Sequence, residues 1–93
     1  MDQHALENIR HAVDGARQAA QAARLDSCDV GDIEDAIEAV RQQLALAHPN
    51  SNTLTLYLNS IARSLIVVPS ARDAVERVDA ALREAGLPVT WEQ

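Results

Sequence analysis

The chain has no Lys, no Phe, a single Cys, one Tyr and one Trp, and its longest aliphatic run, Leu65 to Val68, is only four residues. Without Lys there is no Schiff-base chemistry and no target for lysine modification. A lone Cys28 rules out an internal disulfide, so a reducing cytoplasm is the expected compartment. Runs this short exclude a membrane-spanning helix, and the opening MDQHALENIR has neither a basic leader nor an apolar core, so secretion is not expected. The missing Phe leaves the core to aliphatic residues and abundant Ala, which lets helices approach closely. Arg in place of every Lys, together with the Ala content, points to a GC-rich, bacterial coding genome.

With 93 residues the chain makes one domain, able to bury about 60 to 65% of its unfolded surface. Its net charge of -6 argues against nucleic acid or anionic membrane as partners, because phosphate recognition relies on excess cations. The excess is local. Asp26, Asp29, Asp32, Glu34, Asp35 and Glu38 account for all of it, and the other acids balance the eight Arg.

Four segments carry helical periodicity. The first repeats every seven residues, HALENIR, HAVDGAR and QAAQAAR, with Leu6, Ile9, Val13, Ala16, Ala20 and Ala23 stepping by three and four as a bundle seam does. Glu7 and Asp14 precede Arg10 and Arg17 by three residues, a spacing suited to weak ion pairs along the helix. Val30, Ile33, Ile37, Val40, Leu44 and Ala47 mark a second helix, ended by His48-Pro49. Leu54, Leu58, Ile61, Leu65 and Val68 mark a third. Within it, residues 53–58 also alternate as a strand would and residues 65–68 are rich in β-branched side chains, so short strands are the alternative there. In the fourth, Ser70 with Asp73 reads as a near capping box, Ala71, Val75, Val78, Leu82 and Ala85 form the seam, and Gly86 with Pro88 stops it. The tail VTWEQ is expected to fold back, with Trp91 over the end of the bundle. Helices at about 3–24, 29–47, 53–67 and 71–85 with short connections predict an all-α fold, a small antiparallel four-helix bundle.

The stretch DSCDVGDIEDAIEA, residues 26 to 39, holds six carboxylates and no base. Helix initiation explains much of it: acids near the N-terminus meet the positive end of the helix dipole, and Asp29 or Ser27 is available as a cap. Calcium binding is not expected. Gly31 falls at the sixth position of an EF-hand loop begun at Asp26, but Cys28, Val30 and Ile37 occupy ligand positions.

Asp26-Ser27 at the mouth of an acidic helix resembles the Asp-Ser-Leu motif of acyl carrier proteins, which implies phosphopantetheine on Ser27 and basic partner enzymes. The resemblance covers two residues. Cys28 stands where Leu is usual, no Gly precedes Asp26, and the long preceding loop is missing, which favours Ser27 as a capping or loop residue. Residues 60 to 78, SIARSLIVVPSARDAVERV, resemble the helix-turn-helix of bacterial repressors, implying DNA binding. Ile66 then stands at the turn Gly and Arg72 at an apolar position, so ordinary helical-hairpin packing is the better reading.

Other chemistry is scarce. His4 and His11 are about 10 Å apart along a helix, too far to share one metal ion with ease, and Cys28 has no activating partner in any recognisable motif. No phosphate loop, nucleophile elbow or paired carboxylate in a cleft appears, so neither catalysis nor a metal or other cofactor is expected.

Leftover apolar residues supply the remaining signal. Leu56 and Val67 project off the third helix's seam, separated by Ser60 and Arg63. The expectation is a non-catalytic protein–protein interaction module of the adaptor, chaperone, anti-activator or immunity-inhibitor kind. Asp32, Asp35 and Glu38 would meet a basic partner protein, and Leu56, Arg63 and Val67 would support a homodimer.

Overall fold

In the computed structural model, residues 2–92 are described, apart from the side chains of Ser27 and Cys28. Four helices follow one another: α1 (Gln3–Ala22), α2 (Ser27–Leu44), α3 (Ser51–Leu65) and α4 (Arg72–Glu84), the last preceded by a 3-10 turn at Pro69–Ala71. Each helix packs on its neighbours in the chain, and α1 closes the ring against α4. The directions are antiparallel. Asn8 near the start of α1 hydrogen-bonds Glu84 at the end of α4, Asp14 of α1 pairs with Arg41 of α2, and Asp29 and Ile33 of α2 share a groove with Arg63 and Val67 near the end of α3. The expected antiparallel four-helix bundle is therefore what forms, 34 × 22 × 20 Å in extent.

The core lies where the periodicity places it. Ile9, Val13, Ile33, Ile37, Val40, Leu54, Leu58, Ile61, Leu65, Val75, Val78 and Leu82 are all essentially inaccessible. On α1 the buried stripe is shifted toward small residues: Ala5 and Ala12 are buried, whereas Leu6 and Ala23 are only half-buried. Ala12, Ala16 and Ala20 present little side chain to the core, and the larger Leu6 is left at the margin. The strand alternative is not realised: residues 53–58 lie inside α3, and residues 66–68 form the turn after it.

Several helix ends differ from the sequence reading: α1 ends at Ala22 rather than 24, and α3 runs over Ser51–Leu65 rather than 53–67. The cap of α2 is Asp26, whose carboxylate accepts from the Asp29 N–H at 3.0 Å, in place of Asp29 or Ser27. That helix stops at Leu44 rather than 47; the Gln43 side chain bonds the Asn50 N–H at 2.8 Å, and Asn50 caps α3 through Thr53. At α4 the Ser70–Asp73 capping box does not form, because Pro69 opens a 3-10 turn and the helix begins after Ala71 with no side-chain cap. The stop at Gly86 is as expected. Its φ is 72°, Gly86 N–H bonds the Arg83 carbonyl and Leu87 N–H bonds the Leu82 carbonyl, the two bonds of a Schellman motif.

Candidate functional site

The acidic helix start lies beside the end of α3 because short connections make α2 and α3 antiparallel. Asp29, Asp32 and Ile33 of α2, Leu25 before it, and Arg63, Ser64, Val67 and Val68 line one groove of about 230 Å³. Three of the six expected binding residues, Asp32, Arg63 and Val67, are thus brought together. Val67 is 79% exposed at its rim, and Ile66 beside it is also exposed. The Arg63 guanidinium donates to the Thr90 carbonyl at 3.2 Å, which tethers it toward the tail.

Asp35 and Glu38 belong to a different groove. With Glu34, Ile37 and Arg41 they face Arg17 of α1, so the acidic stretch is divided between two flanks of α2. Arg17 and Arg41 temper the negative field there, yet Arg41 pairs with Asp14 at 2.6 Å. Among the described residues no ion pair involves Asp29, Asp32, Glu34, Asp35 or Glu38. The pairs expected within α1, Glu7 with Arg10 and Asp14 with Arg17, are not made either. Asp14 instead ties α1 to α2, a tertiary contact that helix spacing alone does not reveal.

Leu56 stands apart from both grooves, 65% exposed on the outer face of α3. Ser60 and Arg63 follow it along the helix, whereas Val67, expected as the other apolar end of this stripe, lies in the turn after α3 and lines the groove with Asp29 and Asp32.

The tail completes a buried polar site around Asn59. Asn59 is 2% exposed, and its amide nitrogen donates to the Thr55 carbonyl at 2.8 Å and the Pro88 carbonyl at 3.0 Å. Its oxygen accepts from the backbone N–H of Thr90 at 2.7 Å and of Trp91 at 3.1 Å. An Asn side chain has two donors and two acceptor sites, so Asn59 is fully satisfied. Val89 and Trp91 pack partly buried against the core. The Trp91 indole N–H donates to Asp79 at 3.1 Å, and Arg83 holds the other Asp79 oxygen at 2.9 Å. Trp91 therefore lies on the flank of the bundle between α3 and α4, since Asn59 and Asp79 draw the tail back along the helices instead of over their ends. The Arg83 hydrogen bond is the main force holding the Asp79 carboxyl below its usual range; burial opposes it and the indole N–H assists.

Among the described residues, the chemistry carried by other motifs finds no assembled site. Among the described residues no three His, Cys, Asp or Glu side chains are placed to hold a metal, and no helix is long and apolar enough to cross a membrane. Gly31 lies within α2, so residues 26 to 37 form helix rather than a calcium loop. Residues 66 to 71 separate α3 from α4, longer than the three- to four-residue turn of a helix-turn-helix, and Arg72 pairs with Glu76 on its own helix. The carrier reading of Ser27 and the reactivity of Cys28 concern side chains outside the described residues.

Comparison with known proteins finds no matching family model, no matching curated protein and no matching solved structure. The functional reading rests on the geometry above.

Proposed function

We propose that the protein is a non-catalytic interaction module that binds a partner protein with a basic surface through the acidic flanks of α2. The observation carrying this reading is five carboxylates on one helix, Asp29, Asp32, Glu34, Asp35 and Glu38, all exposed and without an internal ion pair. Asp29 lies in the first turn, where the helix dipole favours it, but fold stability does not call for the other four: the dipole benefit fades after that turn, and like charges on one helix repel. A cationic partner turns that repulsion into attraction, accelerates encounter and selects against acidic competitors. The exposed Val67 beside Asp29 and Asp32 adds an apolar contact, so the fitting partner element carries Arg or Lys next to an aliphatic side chain.

Self-association through the outer face of α3 belongs to the same proposal. Leu56 is exposed on that face and Val67 in the turn just past its end, and a two-fold contact is the common way for a single chain to cover such residues.

The test of the acidic surface is capture from lysate of the native host by wild type and by Asp32→Asn/Asp35→Asn/Glu38→Gln. Proteins with basic surfaces retained by the wild type, released by salt and missing from the variant are the expected result. Identical retention by both chains would falsify the proposal.

A further inference from the structure

The segment Pro88–Glu92 is held as a bound peptide is held. Asn59 contacts only its backbone, at Pro88, Thr90 and Trp91, while Val89 and Trp91 alternate into the bundle and Thr90 gives its carbonyl to Arg63. This is the division of labour of extended-peptide recognition, main chain for affinity and alternate side chains for specificity. The segment makes no helix of its own and follows Leu87, which the Schellman motif and the core both anchor. Pro88 is thus the point at which the tail can part from the body without disturbing α4.

We propose that the groove between α3 and α4 accepts the tail of a second copy of this chain in place of its own. The second copy is the occupant that carries the matching segment, because Val89, Trp91 and the backbone read by Asn59 are already complementary to this groove. Exchange keeps every tail contact, so its net gain comes from surface newly covered. The groove borders the outer stripe of α3, since Arg63 belongs to that stripe and bonds the tail directly. Exchange therefore places the exposed Leu56, seven residues before Arg63 on α3, beside the incoming copy. The inference rests on the self-association reading, and its Arg63 also borders the groove that holds Asp29 and Asp32.

Trp91 is the only Trp, so the full-length Trp91→Ala chain is free of indole and its own tail competes weakly. A synthetic peptide LPVTWEQ then carries the sole Trp signal and stands for the second copy's tail. Saturable binding with a blue shift of the peptide's emission is expected. A peptide methylated on the backbone nitrogens equivalent to Thr90 and Trp91 keeps its side chains but loses both donors to Asn59, and binding about tenfold weaker is expected. If the Trp91→Ala chain is unfolded alone, recovery of helical ellipticity on adding the peptide reads the same event. Emission unchanged from free peptide, with no gain of ellipticity, overturns the groove. Equal binding of the methylated peptide overturns backbone reading by Asn59. Sedimentation of the wild type tests the exchange itself: a dimer that excess peptide dissociates supports it, and a chain monomeric at every concentration, or a dimer insensitive to peptide, overturns it. Such an insensitive dimer leaves self-association through α3 standing, so the two readings fail separately.

Discussion

The backbone N–H of Trp91 donates to the side-chain oxygen of Asn59, 32 positions earlier in the chain, at 3.1 Å. That bond and those to Pro88 and Thr90 tie the extended tail, which Arg63 and Asp79 also hold, into the folded body. Asn59→Ala removes all three at once and strands the N–H groups of Thr90 and Trp91. Each buried unsatisfied group costs about 1 to 3 kcal/mol, but the tail can detach into water, so the loss is capped by the free energy of tail docking. A destabilisation of about 2 to 3 kcal/mol in urea unfolding is expected, with Trp91 emission shifted to the red before the helices melt. Unchanged emission would show that the tail docks without Asn59.

Two positive-φ residues give opposite expectations. Gly86 has φ of 72° and open space where a Cβ would stand, so Gly86→Val tests backbone conformation alone and should lose about 1 kcal/mol or more. Arg24 has φ of 54° just past α1, a conformation that disfavours a side chain. Arg24→Gly should gain about 0.5 to 1 kcal/mol, the relief of strain exceeding the greater freedom of Gly in the unfolded chain. Thermal melts of the two variants check both signs.

Much of this architecture is legible in the sequence because it follows from periodicity and terminator chemistry. Heptad spacing identifies α1, and Gly86 with Pro88 marks the end of α4, since few residues tolerate the conformation that a Schellman motif requires. What sequence does not reveal depends on distant partners. Asn59 falls next to Leu58 in a stretch that keeps helical phase, and nothing local says that its amide meets residues 88 to 91. Its signal is indirect: a polar residue beside the seam, and a tail whose backbone needs partners. Asp14 similarly has Arg17 within helical reach but pairs with Arg41, and Pro69 turns the local Ser70–Asp73 signature into a 3-10 turn. For the candidate site, the residue types were readable but their grouping was not, because the division of the acids between two grooves depends on how α2 is rotated in the bundle.

Asp79 makes stability depend on pH at the acid end. Its folded pKa lies below the ordinary value because Arg83, and secondarily Trp91, stabilise the carboxylate against the opposing effect of burial. The unfolded chain then binds the proton more readily, so the stabilisation is complete above about pH 4 and is lost as pH falls through the lower folded value. Asp79→Asn should be less stable than wild type at neutral pH, and the difference should shrink as pH falls below the ordinary carboxylate range and the folded carboxylate takes up its proton. Urea melts across that range check it, and a pH-independent difference would assign the effect to packing.

Leu56 and Val67 are exposed enough that Leu56→Glu/Val67→Glu should remain folded, within about 0.5 kcal/mol of wild type. The variant is expected to sediment as a monomer under conditions where the wild type is dimeric. A variant that stays dimeric with the wild type would move the self-association surface away from α3.

The most direct measurement of the account is the association rate of the captured basic partner with wild type and with Asp35→Asn/Glu38→Gln, in low and in high salt. Both acids lie past the first turn of α2, so helix initiation does not explain them, and their neutralisation should leave stability unchanged or slightly raised. Slower association is expected for the variant in low salt, with the two rates converging as salt screens the field. Equal rates in low salt would contradict it, leaving Asp35 and Glu38 as a solvated helix face.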